Sequence, residues 1–97
     1  MVVIRGVNVY PSAVEEIIRN IGGVAEYRVE IARDISMVEM SLQIEPESSD
    51  DDRLAKRLAK RLAVAFQENL SLRVPIQIVG PNTLPRFELK AKRWIIR

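Results

Sequence analysis

The chain has 97 residues, of which 47% are hydrophobic and 29% are charged, and its net charge is +2. This composition indicates one globular domain and excludes a disordered chain. Cysteine and histidine are both absent, which excludes disulfides, thiol chemistry and histidine-based catalysis. No apolar run approaches the ~20 residues that span a bilayer, and the pattern at the N-terminus does not lead us to expect a secretory signal. These features favour a cytoplasmic protein that does not enter a membrane.

The first predicted elements are a short strand and a helix. Val2-Val3-Ile4 is an apolar run typical of a strand, and Gly6 relaxes the backbone after it. Ser12 and Glu15 have the spacing of a capping box, which predicts the start of a helix. Its apolar face has helical spacing and consists of Val14, Ile17, Ile18 and Ile21. Gly22-Gly23 is expected to end this helix.

A strand pair follows, because apolar and polar residues alternate over residues 26–31 and again over 38–45. Two alternating runs with a short break predict an antiparallel hairpin that has one buried and one solvated face. Glu26 and Glu45 fall on the polar side of this alternation, so both are expected in solvent.

A second helix is predicted from about Asp51 to Leu70, with an apolar ridge at every fourth residue. A last strand is predicted over residues 72–78. Pro75 lacks an amide donor, which indicates that this strand lies at an edge of the sheet or is bulged at the proline. The order β-α-β-β-α-β predicts an α+β, ferredoxin-like two-layer sandwich, with an antiparallel sheet and two helices on one face. Residues 1–97 are expected to form a single domain.

Two charged stretches are best explained by structure alone. The basic stripe Lys56, Arg57, Lys60 and Arg61 is interpreted as a solvated helix face, so nucleic acid is not favoured as a partner. The acidic run Ser48–Asp52 lacks the alternation of a calcium loop and suits a helix N-terminus instead. No metal site is predicted.

The C-terminal stretch GPNTLPRFELKAKRWIIR has two interpretations. Its cations Arg86, Lys90, Lys92 and Arg93 suit phosphates or carboxylates. Composition alone favours a basic, loosely ordered tail that is held by its apolar side chains. These anchors would be Phe87, Leu89, Trp94, Ile95 and Ile96.

Two segments carry a resemblance to a known family. IRGVNVYPSAVEEII at residues 4–18 resembles the post-hinge motif of phenylacetate-CoA ligases, which belong to the AMP-forming acyl-CoA synthetase superfamily of adenylate-forming enzymes. LPRFELKAKR at residues 84–93 resembles the last core motif of the same family. Both segments lie where this family has them, at the two ends of its small C-terminal lid domain.

The resemblance implies a role in a two-step ligase that uses ATP, Mg²⁺ and CoA. Lys90 would assist the adenylation of a carboxylic acid, and Arg86 is a candidate phosphate contact. The post-hinge loop, matched by Arg5, Gly6, Val7 and Asn8, would line the pantetheine tunnel of CoA during thioester formation. The implied partners are a large N-terminal adenylation domain, CoA and the acyl-adenylate. That domain is absent from this sequence, so the chain is expected to be inactive alone.

A second interpretation from another functional class stays open. A free-standing ferredoxin-like module could act in regulation or interaction, without catalysis, by pairing through sheet edges or helix faces. The acyl substrate and the oligomeric state, a homodimer included, cannot be read from the sequence.

Overall fold

The computed structural model describes residues 1–34, 37–48, 51–85 and 93–96. In chain order, its elements are the strands β1 (Val2–Ile4) and β2 (Val7–Val9), the helix α1 (Pro11–Ile21), the strands β3 (Val24–Arg33) and β4 (Val38–Pro46), the helix α2 (Asp52–Leu70), and the strands β5 (Ile76–Ile78) and β6 (Trp94–Ile96). The predicted α+β class is confirmed.

The main sheet has four strands in the order β5-β4-β3-β6. Its central pair, β3 and β4, is antiparallel as predicted, but both outer strands run parallel to their neighbours. The sheet is therefore mixed and not antiparallel throughout. The reason lies in the connections, because α2 carries the chain back across the sheet, so that β5 runs in the direction of β4.

The predicted first strand is also placed differently. β1 lies outside the main sheet and pairs with β2 in a separate antiparallel hairpin. β6 occupies the sheet edge beside β3, where composition alone favoured a loosely ordered tail. Trp94 is a register partner of Val29 at this edge. A three-residue strand that pairs with a distant segment leaves little periodic signal in its own sequence.

Both helices cover one face of the sheet, and a single core lies between the layers. Its fully buried side chains include Val14 of α1, Val29 of β3, Leu42 of β4 and Phe66 of α2. The opposite face is polar. There the Arg28 Nε donates to the Gln43 side chain at 2.7 Å. This division into one apolar and one polar face confirms the two-layer prediction.

The start of α1 differs from the predicted capping box. Tyr10 is the N-cap residue without a side-chain hydrogen bond, and Pro11 is the first helical residue. Proline suits that position because its missing N–H would have no partner there. Ser12 is therefore inside the helix, and Glu15 forms ion pairs with Arg19 and Arg93, each at 3.3 Å.

The start of α2 and the edge strand match their predictions more closely. Asp51 caps α2 by accepting a hydrogen bond from the Arg53 amide at 2.9 Å. β5 lies at the sheet edge, and the Pro75 carbonyl accepts from the Leu42 amide at 2.9 Å. This strand is shorter than predicted, since residues 72–75 are irregular.

Candidate functional site

The first candidate segment, residues 5–8, is the turn and second strand of the β1–β2 hairpin. Ile4 and Val7 are register partners, so Arg5 and Gly6 form a two-residue turn. Their φ angles are +49° and +81°. Positive φ at both positions is typical of the turn that matches the twist of a tight hairpin. The sequence pattern did not predict this hairpin, because Arg-Gly is a weaker turn signal than Asn-Gly or Asp-Gly.

Glycine at position 6 is favoured by the backbone conformation of this turn. Apart from its two neighbours in the chain, no described residue would have an atom within 4 Å of a Cβ at this position, so crowding by these residues does not explain the glycine. The positive φ does explain it, because a side chain in that region raises the energy by roughly 1–2 kcal/mol. A close approach of a ligand to Gly6 stays a prediction.

Arg5 connects the hairpin turn to the main sheet. Its Nη2 lies 3.1 Å from Glu39 Oε1 on β4, and the two side chains are 53% and 60% exposed. An ion pair at this exposure contributes little to stability, so the Arg5 guanidinium can exchange partners at small cost. Of the other two residues of the segment, Val7 is half-buried, and Asn8 is exposed opposite Val3.

A groove of about 270 Å³ runs beside this turn. Its lining combines the turn, one end of the β3–β4 pair and the segment before β5, and it includes Ile4, Arg5, Met40, Leu72 and Arg73. Glu39, the ion-pair partner of Arg5, also lines this groove, so its lining combines apolar side chains with charges of both signs.

The second candidate segment lies mostly outside the described residues. Lys90 and Arg86 both fall in the range 86–92, so their predicted roles stay predictions. The chain is described up to Pro85 and again from Arg93. On each side of this gap, the described chain forms hydrogen bonds with a buried glutamate.

Glu45 holds the chain before residue 86. Only 1% of Glu45 is exposed. Its Oε1 accepts a hydrogen bond from the Asn82 amide at 2.6 Å, and its Oε2 accepts from the Leu84 amide at 3.3 Å. The sequence predicted Glu45 in solvent, and this prediction is wrong because residues 82–84 cover its face of the sheet.

Glu26 holds the chain after residue 92. It is 5% exposed, and its Oε1 accepts from the Arg93 Nε at 2.8 Å and from the Tyr27 amide at 3.1 Å. Arg93 also contacts Glu15, and its guanidinium carbon lies 4.8 Å from the centre of the Tyr27 ring. The prediction that Glu26 lies in solvent is therefore wrong for the same reason: a distant segment packs against it.

The electrostatics of this cluster follow from its burial. Burial raises the pKa of Tyr27 above its ordinary value, and the hydrogen bond with Arg93 only partly opposes this shift. Burial by itself would lower the pKa of Arg93, but the Glu26 carboxylate and Tyr27 outweigh that effect, so the pKa is raised. Arg93 is therefore a permanent cation in this cluster.

A mixed four-stranded sheet with two helices on one face and a separate N-terminal hairpin defines a small α+β domain of the ferredoxin-like type. The sequence matches the AMP-binding enzyme C-terminal domain family over residues 6–96. The chain belongs to this family.

Solved structures agree with this assignment. A 2-hydroxyisobutyryl-CoA ligase in complex with 2-HIB-AMP and CoA, in the thioesterification state, is 30% identical, with a TM-score of 0.86 over 99% of this chain. The match spans 21% of that ligase, so the chain corresponds to about a fifth of its length. A domain of phenylacetate-coenzyme A ligase from Bacteroides vulgatus has a TM-score of 0.81 at 20% identity, over 99% of this chain and 91% of its own.

The remaining comparisons give no further information on function. The C-terminal domain of MamM, in its W247A variant, has a TM-score of 0.58 at 11% identity over 93% of this chain and 98% of its own, which shows a shared fold alone. A search of curated protein sequences found no match. No helix in the described ranges is long and apolar enough to cross a membrane. Among the described residues, no group of three or more acidic side chains is arranged to hold a metal ion.

Proposed function

We propose that this chain is the C-terminal lid domain of an AMP-forming acyl-CoA ligase of the phenylacetate-CoA ligase type. The observation that carries the proposal is the family match over residues 6–96, together with the superposition on a CoA ligase that holds both an acyl-adenylate and CoA. The ATP, Mg²⁺ and acid sites would belong to an N-terminal adenylation domain. That domain would be the partner of this chain.

The hairpin turn would act in thioester formation. Arg5, Gly6, Val7 and Asn8 would line the passage for the pantetheine arm of CoA. The open space at Gly6 supports this role, since no described residue other than its two neighbours in the chain lies within 4 Å of the missing Cβ. An arm that runs past the turn would have direct access to backbone polar groups there.

Lys90 would act in adenylation. An ammonium between the acid's carboxylate and the α-phosphate of ATP stabilises the negative charge that builds up as the new bond forms. Arg86 would contact a phosphate oxygen, for which a guanidinium is well suited. These two roles and that of the hairpin turn belong to different half-reactions, so they can be tested separately.

The decisive experiment joins this chain to an adenylation domain. The C-terminal domain of 2-hydroxyisobutyryl-CoA ligase is replaced by residues 1–97, and the ligase truncated before that domain is the control. We expect the chimaera to form both acyl-adenylate and CoA thioester, while the 97-residue chain alone releases no pyrophosphate. Lys90→Ala should slow adenylation by roughly 10²–10³-fold and spare thioester formation from supplied acyl-adenylate.

Two results would contradict the proposal. Acid-dependent pyrophosphate release by the isolated chain would show an adenylating site within residues 1–97. A chimaera no more active than the truncated ligase would instead favour the free-standing interaction module. For that module, binding of a small effector at a symmetric dimer interface is the result to look for.

A further inference from the structure

The segment 86–92 is bracketed by two buried carboxylates, one at each described end. Glu45 binds the chain just before the segment, and Glu26 binds Arg93 just after it. We infer that Glu45 and Glu26 are positioning residues that fix the two ends of the segment containing Lys90. The inference rests on the proposed function, because it assumes that Lys90 acts in adenylation.

The Glu45 end is fixed through the backbone. Both carboxylate oxygens accept backbone amides, from Asn82 and from Leu84, so the position of the main chain is set two residues before Arg86. The Leu84 side chain is buried as well. Hydrogen bonds to an ionised acceptor are roughly twice as strong as neutral ones. Glu45 therefore restrains the backbone at residues 82–84, just before the segment.

The Glu26 end is fixed through a side chain. The Arg93 guanidinium lies between Glu26 and Glu15 and over the Tyr27 ring, so it contacts both β3 and α1. Arg93 follows Lys90 by three residues, a maximum reach of roughly 10 Å. Lys90 can therefore lie no farther than this distance from Arg93, which is held by Glu26 and Glu15.

The presence of glutamate at these two buried positions favours a role in positioning the segment over a role in stability alone. Glu26 and Glu45 are direct register partners on β3 and β4, where like charges destabilise a strand pair. Apolar residues at such buried sites are often equally stable or more stable. Two opposed carboxylates are suited to holding specific donors, and the donors described for them include the Tyr27 amide and groups at both ends of the segment.

The first test measures the anchors directly in the 97-residue chain. Glu45→Gln keeps the shape of the side chain and removes its charge. We expect amide hydrogen exchange at Asn82 and Leu84 to become about tenfold faster, with exchange in β3 and α2 changed less than about twofold. Glu68→Gln makes the same chemical change on an exposed position of α2 and serves as the matched control. If Glu45→Gln does not fold, Glu45→Asp keeps the charge but shortens the reach.

The second test separates positioning from stability in the chimaeric ligase. We expect Glu45→Gln and Glu26→Gln to slow adenylation by roughly tenfold or more. Thioester formation from supplied acyl-adenylate should change less than about twofold, as a general loss of folding would slow both steps. Exchange rates equal to those of Glu68→Gln, or equal losses in both half-reactions, would overturn the inference. If the wild-type chimaera catalyses neither adenylation nor thioester formation, the proposed function is contradicted instead. The hydrogen-exchange rates at Asn82 and Leu84 would then still show whether Glu45 restrains the backbone there.

Discussion

Glu26 and Glu45 face each other across the β3–β4 pair, and they are the two buried charged residues among those described. Each accepts hydrogen bonds from a different stretch of chain, which reconciles two opposed carboxylates with a folded sheet. The stability of this part of the sheet therefore depends on contacts from residues about 40 or more positions away along the chain.

Removing the Arg93 side chain should be costly. Arg93→Ala leaves the Glu26 carboxylate buried without its cation, and we expect the free energy of unfolding to fall by about 2–4 kcal/mol. Arg19→Ala is the matched control, because Arg19 also pairs with Glu15 but is 70% exposed. Its effect should stay within about 0.5 kcal/mol. Urea denaturation of both variants measures the difference, and equal losses would contradict the importance given to Arg93.

The core gives a second prediction for stability. Phe66 is fully buried between α2 and the sheet, so Phe66→Ala removes a large apolar contact and leaves a cavity. We expect a loss of about 3–5 kcal/mol. Val64→Ala on the exposed side of the same helix should lose less than about 1 kcal/mol. Thermal and urea denaturation distinguish the two, and a small loss at Phe66 would show that the core is packed differently.

Gly6 offers a test of the hairpin turn. Gly6→Ala meets no steric obstacle, but it forces alanine into a positive φ, so we expect a loss of roughly 1 kcal/mol. Gly80→Ala is the control, since a Cβ at this position makes only an ordinary 3.5 Å contact with the Thr83 side chain and no positive φ is present. In the chimaeric ligase, the proposed function adds a slower thioester half-reaction for Gly6→Ala. If neither stability nor thioester formation responds, the turn is not as described.

The sequence alone predicted the elements in which apolar residues recur at a regular spacing. The alternation over 27–31 and 38–44 and the apolar ridge of α2 identified the central strands and the long helix, because each pattern repeats over several residues. The family was identified from two motifs at the chain ends. Glu26 and Glu45 were misplaced because burial by a distant segment has no local signature. In the same way, β6 depends on its pairing with β3.

The last prediction concerns pH and Tyr27. Burial raises its pKa in the folded chain above the value of about 10 for an unfolded chain. Between these two values the folded state binds one more proton than the unfolded state, so the free energy of unfolding falls as the pH rises through that interval. Below about pH 10 the contribution of Tyr27 is intact. Tyr27→Phe should therefore lose stability less steeply than the wild type above about pH 10.

The same shift can be measured directly by ultraviolet titration of the phenol. The chain has two tyrosines, so Tyr10→Phe leaves Tyr27 as the only group that gives a phenolate signal. We expect its midpoint above about 10. Adding Arg93→Ala removes the neighbouring cation, which lowers the Tyr27 pKa in the intact protein, so the midpoint should rise further if the fold is kept. A midpoint at or below about 10 in the folded Tyr10→Phe chain would show that Tyr27 is solvated, and the burial of the Arg93 cluster would then be wrong.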